Sequence, residues 1–184
     1  TYRNMNLSVL KRFPNVLLKT ALEPTVDSKP ILLGQRTDVE DMFSGAMIRY
    51  SLENGVPEEA GTVKLPAGTF ILSYASGHVG ESQDFMRLIL SQDQRLMAFD
   101  EENRLLGVKQ DRMYGVGKRL RLSTKSGAKN VIFPGRILIS KAGGSSFNEL
   151  LLIKQVDSGS LVEALSWDGA KFVDKWKTVT SPGI

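Results

Sequence analysis

Short apolar runs separated by glycine, proline, asparagine or acidic residues recur along the chain, and signals for long amphipathic helices are sparse. Three of the runs resemble one another: Ile31-Leu32-Leu33-Gly34-Gln35, Leu88-Ile89-Leu90-Ser91-Gln92 and Leu151-Leu152-Ile153-Lys154-Gln155. Each is followed by a second apolar segment: Ala46-Met47-Ile48-Arg49-Tyr50, Arg95-Leu96-Met97-Ala98-Phe99 and Leu161-Val162-Glu163-Ala164-Leu165. Then come turns at Glu53-Asn54-Gly55, Glu101-Glu102-Asn103 and Trp167-Asp168-Gly169, each leading into a third segment. A repeat of roughly 50–60 residues made of short strands predicts an array of small antiparallel sheets.

The remaining pattern fills in the elements between these landmarks. Val16-Leu17-Leu18 reads as a buried strand with Phe13 beside it, and Pro30 opens the first repeat at a position where no ladder donor is needed. Asp38–Phe43 reads as a single helical turn or a loop, and Asn54-Gly55 as a two-residue hairpin turn, since both residues tolerate positive φ. Thr69–Tyr74 alternates like a half-buried strand, Gly77–Gly80 reads as a turn, and Tyr114–Gly117 as a loop. Phe172–Lys177 closes the last unit as a strand. The resulting division is 1–29 for N-terminal strands that complete or precede the first unit, then units at 30–80, 81–135 and 136–184. The fold class expected is all-β, a propeller-like repeat array of antiparallel blades with about three units present. A propeller closes with at least about four blades, so further blades or another chain are expected to complete it. A compact β-sandwich whose repeat is coincidental is the competing architecture.

Composition narrows the class without naming an activity. With 184 residues, 41% hydrophobic and 24% charged, the chain can bury a core, and no apolar run reaches the ~20 residues that span a bilayer. It opens Thr1-Tyr2-Arg3-Asn4, so it is expected to be a fragment, a processed product or the ordered part of something longer. There are no cysteines, which removes disulfides and thiolate metal sites. The net charge of +4 is mild. The densest basic stretch, Lys118, Arg119, Arg121, Lys125 and Lys129, alternates with leucines as the wet face of a strand, so no nucleic-acid partner is expected.

Candidate catalytic groups do not assemble into a known chemistry. The single histidine, His78, sits among glycines and reads as an exposed turn residue. Ser126-Gly127-Ala128-Lys129 matches a Ser-x-x-Lys spacing, but that chemistry needs a helix to aim the serine, and Gly127 is a poor helix former. Gly115-Val116-Gly117-Lys118 lacks the upstream glycine of a phosphate loop, and Arg119 stands where a Mg²⁺-holding hydroxyl would be. Asn6-Leu7-Ser8 is a glycosylation sequon, informative only in a secreted eukaryotic protein. Asp100, Glu101 and Glu102 are adjacent in a turn and point different ways, so they do not form an opposed carboxylate pair. Trp167 and Trp176 read as packing residues, with stacking on a sugar or peptide as the functional alternative. No catalytic, cofactor-binding or metal residue is assigned.

Asp84–Leu90, Arg95–Asp100 and Asn103–Leu106, then Asn148–Ile153, Leu165–Gly169 and Phe172–Trp176, resemble blades of the FG-GAP/VCBS repeat family. The resemblance runs from about Pro30 to Lys177 and is strongest after Arg136. It implies a β-propeller of a bacterial, extracytoplasmic protein: periplasmic, outer-membrane-associated or secreted. In metal-binding members an Asp-x-Asp-Gly turn surrounds calcium. Here those positions read Gly80–Asp84 and Gly143–Asn148, without clustered carboxylates, so no calcium is expected. The function expected is a non-catalytic binding or scaffolding module for a protein or polysaccharide partner. The alternative is a propeller enzyme whose active site is contributed by blades outside this chain.

Overall fold

In the computed structural model the described residues are 11–23, 30–37, 46–52, 55–66, 68–111, 114, 119–132, 135–142 and 144–179. They form an all-β chain with one short 3-10 turn at Ile71–Ser73. Strands β1 (Val16–Leu22), β2 (Pro30–Arg36), β3 (Met47–Ser51) and β4 (Glu58–Val63) pair antiparallel in chain order as a first sheet. A second sheet follows the same plan with β5 (Tyr74–Val79), β6 (Asp84–Leu90), β7 (Leu96–Phe99) and β8 (Leu105–Val108). After a two-stranded ribbon of β9 (Arg119–Thr124) and β10 (Gly127–Ile132), a third sheet repeats it with β11 (Ile137–Ser140), β12 (Glu149–Val156), β13 (Gly159–Trp167) and β14 (Phe172–Lys177).

A shared irregularity puts the three sheets in common register. Each carries a β-bulge between its third and fourth strands, at Arg49/Tyr50, Ala98/Phe99 and Ala164/Leu165. The fourth strand has one extra residue there, which bends it and steepens its twist. Tyr50, Phe99 and Leu165 are therefore equivalent, matching the alignment of the second segments read from the sequence. Across the ladder they face Leu32, Arg87 and Leu150, which makes Leu33, Leu88 and Leu151 equivalent. Gln92 and Gln155 keep their expected correspondence, but Gln35 falls two residues short of it and occupies the place of Leu90 and Ile153. A slip of two leaves every side chain on the same face of a strand, so the apolar pattern alone does not distinguish the two alignments.

The second sheet is buried on both faces. Leu88, Leu90, Leu96 and Ala98 pack with Ile137, Leu150, Leu152 and Leu165 of the third sheet. The alternate residues Tyr74, Ile89 and Phe99 pack with Ala21, Leu33 and Met47 of the first. Both β1 and β11 touch β5, so the first strands of all three sheets converge. Gly77 of β5 lies where they meet: a Cβ there would sit 3.2 Å from Ile139 Cδ1 and 3.5 Å from Leu22 Cδ1. At the other end of β5, the Gly80 N–H donates to the Asn148 carbonyl at 3.0 Å.

Several local expectations change in the structure. β1 completes the first sheet, while Tyr74–Val79, placed by sequence at the end of the first unit, pairs with β6 and opens the second sheet. Thr69–Ser73 is not a strand. Its buried Phe70 and Ile71 are held by a 3-10 turn in which Ser73 Oγ donates to the Phe70 carbonyl. Gly77–Val79 lies within β5, and the chain turns only at Gly80. β3 and β4 pair as antiparallel neighbours, β3 ending at Ser51 and β4 starting at Glu58, with Gly55 at φ 71°; Asn54 of the expected turn lies outside the described residues. Asp38–Phe43, Gly115–Lys118 and Asn6–Ser8 lie outside the described residues.

The displaced Gln35 has a structural task. It is buried, its Nε2 donates to the Thr69 carbonyl at 2.8 Å, and its Oε1 accepts from the Ile71 N–H at 2.9 Å. These bonds tether the 3-10 turn to the first sheet. Gln35→Leu copies the apolar residue found at Leu90, yet it leaves a buried N–H without that acceptor. We expect a loss of about 1–3 kcal/mol in urea unfolding, and a change below half a unit would contradict the tether.

Candidate functional site

Equivalent positions in the three sheets differ in what covers them. Leu33, Gln35 and Met47 of the first sheet are buried beneath the second. Leu88, Leu90 and Leu96 of the second are buried beneath the third. Their counterparts in the third sheet are Leu151, Ile153 and Val162, and that face has no fourth sheet over it among the described residues. Ile153 is 42% exposed, and Leu138, paired with Leu151 across β11 and β12, is 58% exposed. Leu138, Leu151, Ala164 and Trp176 stand in one row across all four strands. Trp176 is half-buried at the end of that row, and its indole N–H donates to Glu149 Oε2 at 3.1 Å. Strand alternation, which buries a hydrophobic face in the two preceding sheets, here leaves it as an apolar surface.

A second feature is the groove where the first strands converge. It has a volume of about 440 Å³ and is lined by Lys19, Thr20, Leu22, Ser76, Ile139 and Asn148 among others. Its polar groups are largely engaged. Ser76 Oγ accepts from the Leu22 N–H at 3.1 Å and donates to the Leu22 carbonyl at 2.8 Å, while Asn148 Nδ2 donates to the His78 carbonyl at 3.0 Å. The Lys19 ammonium donates to the carbonyls of Leu72 and Tyr74. Burial, with a smaller push from the Arg136 guanidinium, brings the Lys19 pKa down to about 8.

That depression has a sign. The folded chain releases the Lys19 proton before the unfolded chain does, so the penalty is fully present below pH 8 and is relieved as pH rises toward the ordinary lysine value of 10.5. Stability is therefore expected to climb between about pH 8 and pH 10, and Lys19→Met is expected to flatten the climb. Urea midpoints of both proteins across that interval measure it; parallel profiles would refute the assignment.

A cluster of charged side chains lies on the Leu152 side of the third sheet. Tyr114 is fully buried and bridges to Lys154, and its hydroxyl donates to Glu163 Oε2 at 2.6 Å. The Lys154 ammonium lies 5.4 Å from the Tyr114 ring centroid, 3.0 Å from Asp111 Oδ2 and 3.7 Å from Glu163 Oε1. Lys109 joins the same group through Asp174 at 2.6 Å and Asp111 at 3.7 Å. Burial and then the Glu163 carboxylate push the Tyr114 phenol far above the ordinary tyrosine range. The Lys154 ammonium, hydrogen-bonded to Asp111, holds that carboxyl below the usual carboxylate range. A phenol held protonated and ammonium groups neutralised in pairs make a clamp, which fastens the segment after β8 onto the third sheet.

The residues singled out in the sequence are scattered. His78 lies in β5 rather than in a turn; its Nδ1 is 2.6 Å from the Gln83 carbonyl and its ring meets Phe85 edge-on. Lys125 and Ser126 form the turn between β9 and β10, and Gly127 opens β10, so no helix aims the serine. Asp100 Oδ1 accepts from the backbone N–H groups of Glu102 and Arg104, which accounts for it as a turn residue. Asp168 does the same for Ala170 and Lys171. Trp167 is buried edge-on against Phe172, with its indole over Gly107, so no ring face is open to a sugar. Asp84 is exposed at the start of β6, 64 residues away from Asn148 in the chain (148 − 84) and not joined to it in a metal cluster; among the described residues no three His, Asp or Glu side chains gather as one. Lys19, Glu163 and Tyr114 escaped sequence reading, because a lone lysine or glutamate in an apolar strand, or a lone tyrosine between strands, carries no spacing signal.

No family model matches the chain, and no curated protein or solved structure does. Among the described residues no helix is long and apolar enough to cross a membrane.

Proposed function

We propose that this chain is a non-catalytic binding or scaffolding module, a three-unit segment of a propeller-like array. The observation that carries the reading is the uncovered face of the third sheet, where Leu138, Leu151 and Ile153 form an apolar surface and the positions of Leu151 and Ile153 are ones that the two preceding sheets bury. Supporting the propeller-like arrangement are the stacked four-stranded meanders and the convergence of β1, β5 and β11, as blades converge on an axis. The resemblance of the second and third units to FG-GAP/VCBS blades adds an extracytoplasmic setting, periplasmic, outer-membrane-associated or secreted, and a protein or polysaccharide as partner.

The test is binding by the intact chain immobilised on a sensor, with envelope polysaccharide fragments and displayed peptides as probes. Saturable binding that the paired substitution Leu138→Lys/Ile153→Lys abolishes, with the probe recovered unaltered, is the expected result. Binding indifferent to that pair, or conversion of a probe, would overturn the reading.

A further inference from the structure

We propose that the groove where β1, β5 and β11 converge binds a small carboxylate carrying a short aliphatic chain. Leu22, Ala75, Ile137 and Ile139 give it apolar walls, and Lys19 is the one charged residue among those that line it. A concave, mostly apolar site with a few polar groups to fix orientation is the usual setting for a small ligand, and a volume of about 440 Å³ suits one. Neither Leu151 nor Ile153 lines the groove, so a ligand there is independent of binding at the uncovered face of the third sheet.

The cations at the groove have no counter-ion. Lys19 is half-buried, and its ammonium donates to the backbone carbonyls of Leu72 and Tyr74, which are neutral. They occupy two of its three N–H groups. Arg136, the residue before β11, is exposed, and its guanidinium stands close enough to oppose the charge on Lys19. Neither cation pairs with a carboxylate among the described residues. Two like charges side by side, one of them half-buried, repel, and an anion between them turns that repulsion into attraction.

A carboxylate fits both the charges and the walls. Its two oxygens can accept from the third Lys19 N–H and from the Arg136 guanidinium, whose planar fork matches a carboxylate. Asn148, whose Nδ2 donates one N–H to the His78 carbonyl, has a second N–H without a partner among the described residues. The aliphatic chain then lies against the apolar walls, of which Ala75 and Ile137 are buried. Phosphate would use the same donors but leave those walls without an apolar partner.

Titration calorimetry on the intact chain near neutral pH, with hexanoate, hexanamide and inorganic phosphate as probes, tests the assignment. Hexanoate is expected to bind saturably, and hexanamide, which keeps the chain without the charge, at least about tenfold more weakly. Lys19→Met is expected to weaken hexanoate about tenfold or more, and Arg136→Gln about threefold, with hexanamide unchanged in both. Thermal melts show whether each variant folds; Arg136 is exposed, so its variant carries the test if Lys19→Met does not fold. Absence of saturable hexanoate binding overturns the proposal, as does equal binding of hexanamide or hexanoate binding indifferent to both substitutions. Phosphate bound more tightly than hexanoate overturns the choice of a carboxylate.

Discussion

Replacing Gly80 with alanine is expected to cost about 3–5 kcal/mol of folding stability and to loosen the second sheet from the third. Gly80 follows β5 at φ 78°, a left-handed conformation that costs an L-residue about 1–2 kcal/mol. Space matters more than conformation here. A Cβ would lie 1.9 Å from the Trp167 carbonyl oxygen and 3.0 Å from the Trp167 nitrogen. Those are backbone atoms of β13, so no side-chain rotation relieves the overlap. The Gly80 N–H bond to the Asn148 carbonyl would stretch as the sheets part. Both tryptophans lie in the third sheet, so their fluorescence reports that sheet while far-ultraviolet dichroism reports all of them. In the Ala variant the two probes should separate, as two-state behaviour fails once the sheets no longer unfold together. Coincident curves within about 1 kcal/mol of wild type would show that the close approach has no energetic weight.

Glu163→Leu is expected to destabilise by about 2–4 kcal/mol, and Tyr114→Phe in the same chain should recover part of that loss. Glu163 is buried in β13 and accepts the Tyr114 hydroxyl at 2.6 Å, with Lys154 at 3.7 Å. Leucine suits the neighbourhood of Leu152 and Leu165, but it leaves the hydroxyl of a fully buried phenol without its acceptor. Removing one partner of a buried hydrogen bond costs the desolvation of the other, whereas removing both together can be nearly neutral. Lys154 keeps Asp111 at 3.0 Å in either variant, so its ammonium is not abandoned. A double-mutant cycle in urea isolates the Tyr114–Glu163 coupling, expected at about 1–3 kcal/mol. Additive losses would mean that the short contact contributes nothing beyond its parts.

The strands themselves were legible because their residues alternate. β14 appears at the residues the pattern assigns, Phe172–Lys177, and the second segments align in the structure as they do in the sequence. Thr69–Ser73 misled for the same reason: alternating Phe70, Leu72 and Tyr74 look like a strand, but the Ile71 N–H finds its acceptor in Gln35, 36 residues earlier. His78 looked like a turn residue because glycines flank it, yet Gly77 is there to admit Ile139 and Leu22 rather than to bend the chain.

Local patterning thus determined by itself that the chain is all-β, that its strands come in antiparallel groups, and where the turns at Glu101–Asn103 and Trp167–Gly169 fall. Alternation and turn chemistry act between near neighbours, so they survive in a linear reading. Only the tertiary structure decided which face of each sheet meets another, that the second sheet is buried on both sides while one face of the third has no sheet over it among the described residues, and that Tyr114, Glu163 and Lys154 come together. Those outcomes depend on contacts between residues far apart in the chain. A repeat looks the same in sequence whether or not a neighbour covers it.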